Sequence, residues 1–417
     1  GAATLLAGMA GRLSVLVAAW LLTSAAVVAL IAYRGDAIAR AAARRAALAM
    51  AVGDAALLGA LAIALGTVGD PGLARLETAA SDLGSRQVSL LGVAEVSAAG
   101  AMAVLLVLAA ATRASQVPFS SWLPGTLAAP TPVSALLHAG VVNAGGFVLV
   151  RVSPVLSESV LAPVLLAAIA LATIVVAGGA ALLRTDVKGA LASSTSAQMG
   201  FMLLAVAVGA PLAATTHLLG HALYKASRFL GAGDALTAAR AARRHPSRST
   251  TGPGPLALTS VAVTVTVFGA VALLATPSVL HDGEGWVIGL AVGAVGVQAV
   301  WSWLGRRALG ILTVGTAALG FAAAVAGYFG LLAVLDHLLA SGLTAPIGSA
   351  VDARWALAAL LVALVGAAAA VRWPTSSPWV LSWLSAVGRP PIPGRPAGRD
   401  RSKATRSTTA PALGGAW

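Results

Sequence analysis

The chain contains no cysteine, which removes disulfides, thiolate metal sites and cysteine nucleophiles from consideration. Charge is nearly as scarce. Of 417 residues, 10% are Asp, Glu, Lys or Arg and 58% are hydrophobic, against roughly 25% and 45–50% in soluble domains. No stretch ahead of the C-terminal tail is polar for long enough to close a soluble core of its own. GxxxxGK[ST], GxGxxG after a strand and HExxH are all missing, so nucleotide-driven transport and zinc-dependent hydrolysis have no support within the chain. No cofactor is expected. Energy for transport would come from an ion gradient or from a partner.

What is present is apolar sequence in runs of about 20 residues, the length that crosses a bilayer as a helix. Mean hydropathy is +0.90. The expected fold is an all-α membrane protein, a bundle of about ten transmembrane helices including a broken one. The net charge of +13 sits in loop and tail arginines, as the positive-inside rule predicts for a multi-pass protein of the cell inner (cytoplasmic) membrane. Its partner is then the lipid bilayer; no nucleic-acid binding is expected.

The chain opens without an initiator Met or a signal-type leader, which predicts further sequence ahead of it. Spans are expected near 12–33, 46–68, 90–112, 155–183, 185–209 and 211–237, with a basic hairpin at Arg34, Arg40, Arg44 and Arg45 and a surface helix within 69–88. Residues 1–240 carry the motifs and 241–253 form a basic loop. Residues 254–372 hold C-terminal helices, near 254–277, 286–304, 307–334 and 353–371, and 373–417 read as an interfacial segment with a disordered basic tail.

Residues Arg113 to Arg151 organise the whole. An apolar helix enters, Pro118, Pro124, Pro130 and Pro132 interrupt it, and a second helix leaves carrying His138 and Asn143. Irregular backbone at membrane depth is tolerated only where protein buries it or where it lines a polar cavity.

Ionisable side chains inside spans cost at least about 2.5–3.5 kcal/mol each, so they mark function by default. The candidates are Asp54, Arg113, His138, Lys188, His217, His221 and Lys225. His217, His221 and Lys225 fall at i, i+4 and i+8, one face of one helix, stacked about 6 Å apart per step. That ladder suits proton hopping, because histidine exchanges protons near neutral pH and a desolvated lysine can act as a carrier. Structural bonding between helices is the plainer alternative for the histidines, and a metal pair lacks acidic or thiolate ligands in register. Arg113 stays charged at any accessible pH, so it is either a fixed-charge element at the break or an anchor for freed carbonyls. Lys188, three residues into its helix, can snorkel. Asp54 is placed to balance Arg113 or a lysine across helices. Glu95 lies about 27 Å from Arg113 along a straight helix, towards the other membrane surface.

The segments SQVPFSSWLPGTLAAPTPVSALLHA, TDVKGALASSTSAQMGFMLL and HLLGHALYKASRFL resemble, in that order and spacing, the antiporter-like proton-channel subunits of respiratory complex I and of Mrp-type cation/proton antiporters. WLLTS at Trp20, VGD at Val52, HAGVVNAGGFVLVR at His138 and AQMGFMLL at Ala197 are most similar to the DabB branch, the membrane subunits of two-component inorganic-carbon pumps. Their DabA partner is a large soluble-side protein with a zinc site like that of β-carbonic anhydrases. The resemblance implies that the chain passes protons or sodium ions down their gradient and is not itself the enzyme; CO2 hydration would sit on the partner. It places the family's channel lysine on Lys225, its accompanying histidines on His217 and His221, its broken-helix lysine on Arg113, its next-helix histidine on His138 and its acidic residue on Asp54; Lys188 matches the lysine after Asp186. Complex I relatives carry a glutamate after the tryptophan matching Trp20, whereas this chain has Leu21. With Arg113 in place of lysine, the titrating step is expected on the histidines and Lys225. A membrane anchor that merely docks a soluble enzyme is the alternative from another class.

Overall fold

The computed structural model describes residues 2–90, 94–184, 186–232, 253–274, 296–297, 299–300, 303–304 and 310–339. Six helical stretches there are long and apolar enough to cross a membrane: Leu13–Ala32, Ala37–Thr67, Thr131–Arg151, Leu161–Ala181, Val187–Ala207 and Ile311–Leu335. The expected basic loop at 241–253, apart from Pro253, which opens a helix, lies outside the described residues, as do the span at 353–371, the tail at 373–417 and most of 286–304.

After a short α1 (Ala2–Met9), α2 (Leu13–Ala32) and α3 (Ala37–Thr67) form a hairpin. The turn between them is shorter than the expected basic hairpin. Asp36 caps α3 by accepting from the Ala39 N–H at 2.7 Å, and the alanine-rich sequence beyond it continues helically, so Arg40, Arg44 and Arg45 sit in the first turns of α3 instead of in a loop. A surface helix, α4 (Leu76–Ser85), follows where one was expected.

The third span begins later than its apolar content suggested. Gln87–Leu90 and Ala94–Ser97 pair as a two-stranded antiparallel ribbon, β1 and β2. Ser97 then caps α5 (Ala98–Arg113), its hydroxyl accepting from the Gly100 N–H at 3.1 Å. Glu95 is therefore on the ribbon.

Beyond Arg113 the helix breaks. Ser115 adopts a left-handed backbone at φ 55°. A 3₁₀ turn at Pro124–Ala128, the short α6 (Thr131–Leu136), a π-helical turn at Leu137–Val141 and α7 (Asn143–Arg151) complete the stretch. Pro124 and Pro132 lie in the first turns of their segments, where no intrahelical N–H is needed.

The single helix expected over 155–183 is two. α8 (Ser153–Ser157) stops before Glu158, and Ser159 accepts from the Ala162 N–H at 3.2 Å as α9 (Leu161–Leu182) starts. α10 (Val187–Ala207) is capped by Asp186, and α11 (Pro211–Leu230) ends at Gly231. α12 (Pro253–Leu274) and α13 (Ile311–Leu339) pack on each other, and α13 reaches α11 through Phe329 and Leu332 against Leu212.

Burial ranks the spans. Two thirds (67%) of the apolar windows of α6–α7 and of α10 is buried, against 17% for α13. α10 and the broken stretch are thus the interior of the bundle, and the hydrophobic core runs through Met199, Met202 and Leu203. Close approach is set by glycine at one decisive place. A Cβ on Gly53 would lie 2.0 Å from the Thr112 hydroxyl oxygen, so α3 and α5 meet at the residues next to Asp54 and Arg113.

The two ends of the bundle differ in charge. Among the described residues, Arg184, Lys188 and Arg228 lie at the end that carries the α2–α3 arginines, together with Asp36 and Asp186. The opposite end mixes Arg12, Arg75, Arg86 and Arg151 with Asp70, Glu77, Asp82, Glu95 and Glu158.

Candidate polar relay in the bundle core

The expected candidates separate into two groups, one among α2, α3 and α5 and one where α11 and the break meet α10. Arg113, 1% exposed, anchors the first. Its Nη2 donates to Ser24 Oγ at 2.6 Å and to the Trp20 carbonyl at 3.3 Å, and lies 3.5 Å from Asp54 Oδ1. The guanidinium also stacks 4.1 Å from the Trp20 ring centre. Asp54 accepts in turn from Trp20 Nε1 at 2.9 Å and Ser24 Oγ at 2.8 Å. Asp54 is thus the carboxylate partner of Arg113, and Trp20 and Ser24 of α2 complete the cage. The position beside Trp20, Leu21, contributes no charge.

The second group lies between α11, the broken stretch and α10. Lys225, fully buried, donates to Ser194 Oγ at 2.7 Å and to the Leu191 carbonyl at 3.1 Å. No carboxylate among the described residues lies within ion-pair distance of it. His138 lies in the π-helical turn, fully buried, 3.2 Å from Thr195 Oγ1 through Nδ1 and stacked 4.3 Å from Phe229. His221 meets Asn143 Oδ1 through Nδ1 at 3.1 Å. The His217 and His221 rings stand 5.9 Å apart and within 16° of parallel, as a spacing of four on one helix face requires.

Lys188 stands apart from this hub. Half-buried at the start of α10, it donates to Thr131 Oγ1 at 3.1 Å, one turn before the Leu191 carbonyl that receives Lys225. Next to Thr195, α10 is tied to the break. Ser196 Oγ donates to Ser115 Oγ at 3.1 Å, Ser115 Oγ to the Ser120 carbonyl at 3.1 Å, and the Gln116 amide to the Ser196 carbonyl at 3.2 Å. Sequence reasoning passed over Ser194, Thr195 and Ser196. Three adjacent hydroxyls point about 100° apart on a helix, so all three find partners only on a helix surrounded on three sides. The run SSTS in an otherwise apolar span was the available signal.

Chemically, the first group is a compensated charge pair, suited to holding a fixed potential. The second is a chain of proton-exchanging side chains bonded to neutral groups.

This helical membrane architecture, with a broken helix whose cation meets an acid on one side and a lysine–histidine hub on the other, defines an antiporter-like membrane subunit. The chain belongs to the NADH:quinone oxidoreductase/Mrp antiporter transmembrane family, whose model matches residues 10–305. Among curated relatives, the probable inorganic carbon transporter subunit DabB of Bacillus subtilis (strain 168) is 44% identical over 148 residues, which is 36% of this chain and 29% of that protein. NADH-ubiquinone oxidoreductase chain 5 of Schizophyllum commune is 38% identical over 135 residues, 32% of this chain and 20% of that one. The matched stretches thus span less than a third of these relatives. A structure of the Mrp complex from Dietzia sp. DQ12-45-1b superposes with a TM-score of 0.58 at 26% identity, covering 93% of this chain and 45% of the matched chain.

Proposed function

We propose that this protein is the membrane subunit of an energy-coupled inorganic-carbon (CO2/bicarbonate) pump. Protons, or another cation, run down their gradient through Lys225, His221, His217 and His138, and the flow drives a zinc-containing, DabA-like partner that hydrates CO2. The chain itself conducts ions and is not the enzyme. The observation that carries the reading is Lys225, a fully buried amine bonded to a carbonyl and a hydroxyl, which can load and unload a proton without breaking an ion pair. The likeness to the Bacillus subtilis DabB subunit supports inorganic carbon as the cargo. Arg113, paired with Asp54, supplies a permanent charge at the break, and Lys188 stands where protons leave or join the path at the basic end. That end faces the cytoplasm by the positive-inside rule, in the cell inner membrane.

The test is co-expression with the zinc-containing partner in a carbonic-anhydrase-deficient cell. Growth in air and protonophore-sensitive bicarbonate accumulation are expected, and both are expected to vanish in Lys225→Ala and His221→Ala. Undiminished rescue in those variants overturns the relay. A second reading, an antiporter-like proton-translocating subunit of a complex I, hydrogenase or Mrp assembly, is favoured by the superposition on the Mrp complex along 93% of the chain. Sodium-dependent proton antiport independent of any zinc partner would select it.

A further inference from the structure

We infer that Thr195 and Asn143 hold His138 and His221 in one tautomer, Nδ1–H, so that these two rings take up and release protons only at Nε2. The inference rests on the relay reading above and assigns its reacting atoms.

Each of the two contacts is decided by a different piece of chemistry. Thr195 Oγ1 has one proton and gives it to the Leu191 carbonyl at 2.8 Å, so towards His138 Nδ1, at 3.2 Å, it can only accept. The Asn143 amide is oriented by its Nδ2 donating to the Ala139 carbonyl at 2.7 Å, which turns Oδ1 towards His221 Nδ1 at 3.1 Å. A carbonyl oxygen has nothing to donate, so the imidazole donates. An imidazole that donates through one nitrogen keeps the other as the base. Nε2 of both histidines is buried and has no hydrogen-bond partner among the described residues.

The consequence is a definite route. Hopping through an imidazole, in at one nitrogen and out at the other, needs an acceptor on the far side that can pass the proton on. An amide oxygen cannot, and the threonine proton already points at Leu191. Nε2 is therefore both door and exit: the free base gains a proton there, the ring becomes imidazolium, and the same N–H bond breaks to return it. Stacking opposes the ring flip that would exchange the nitrogens. His138 lies 4.3 Å from Phe229 at 20° between planes, and His217 lies face to face with His221. Thr195 and Asn143 are thus positioning residues that select which nitrogen reacts.

The direct test is nitrogen-15 NMR of the histidine-labelled full chain in lipid bilayers, assigned with His138→Gln, His217→Gln and His221→Gln. His138 and His221 are expected as neutral rings protonated at Nδ1 at neutral pH, and a proton on Nε2 in either neutral ring overturns the inference. In proteoliposomes carrying the complex with its partner, Thr195→Val and Asn143→Leu are expected to release His138 and His221 into mixed tautomers and to lower proton flux on the order of tenfold. Thr195→Ser, which keeps the acceptor, is expected to restore both. Unchanged tautomers and flux in Thr195→Val would also overturn it. Full flux in Lys225→Ala defeats the relay reading instead, while the wild-type spectrum still decides the tautomers.

Discussion

Two buried basic groups are handled in opposite ways. Arg113 is enclosed by a carboxylate, a hydroxyl, a carbonyl and an indole face, whereas Lys225 has one hydroxyl, one carbonyl and a phenol ring 6.0 Å away, with no carboxylate beside it among the described residues. Removing a permanent charge from water is tolerable only when a counter-charge comes with it. An amine that sheds its proton needs no such partner. The contrast teaches that the site where charge is constant and the site where charge changes are recognisable by what surrounds them, before any transport is measured.

The comparison can be broken most forcefully at Lys225. Lys225→Met is expected to abolish bicarbonate accumulation, a fall on the order of a hundredfold or more, while leaving thermal stability in detergent unchanged or raised, because an apolar chain replaces a desolvated amine. Asp54→Asn should do the reverse to stability. It strands the Arg113 guanidinium and is expected to cost about 3–5 kcal/mol, read by denaturation in detergent, and the double variant Asp54→Asn with Arg113→Met should recover most of that loss. Gly53→Ala keeps both charges but forces α3 and α5 apart at the Thr112 contact. A loss of about 1–3 kcal/mol is expected, with transport reduced in proportion to the separation of Asp54 from Arg113.

The smallest effect lies at the opposite, mixed-charge end. Asp70 accepts from the Ser14 hydroxyl at 2.7 Å and the Ser14 N–H at 3.1 Å. The hydroxyl bond in particular holds its carboxyl below the usual value of 3.8. A carboxylate with a lowered folded pKa stabilises above its unfolded value and loses that contribution as pH falls below 3.8 towards the folded value. Asp70→Asn should therefore remove a small part of the acid sensitivity of unfolding, visible below about pH 4, and leave the relay untouched.

The spans and the ladder were legible because both are local. Apolar runs report helices by length, and a spacing of four reports a shared face without knowledge of the neighbours. Asp54 was readable as a partner for some cation, but only the α3–α5 approach at Gly53 makes that cation Arg113. The tertiary partners Thr195, Ser196 and Asn143 are ordinary small polar residues whose meaning depends on which helix lies opposite. Boundaries failed where capping overrode hydropathy. Ser97 delays α5 behind a ribbon, Asp36 brings the start of α3 forward past the arginines, and Ser159 divides what reads as one helix. Each cap was present in the sequence, but a lone serine or aspartate beside an apolar run signals too weakly to displace it.

The π-helical turn at Leu137–Val141 has a consequence for inheritance of the site. Its Val142 N–H reaches back five residues to the Leu137 carbonyl at 3.2 Å, so the turn holds one residue more than an α-helix would. That extra residue rotates everything after it by about 100° and brings Asn143 round to His221 while His138 keeps Thr195. The site is therefore written in phase as well as in residue identity. Deleting Gly140 would leave every named side chain in the chain and turn Asn143 away from its histidine, so a relative lacking that one residue would carry the same motif letters and a different circuit.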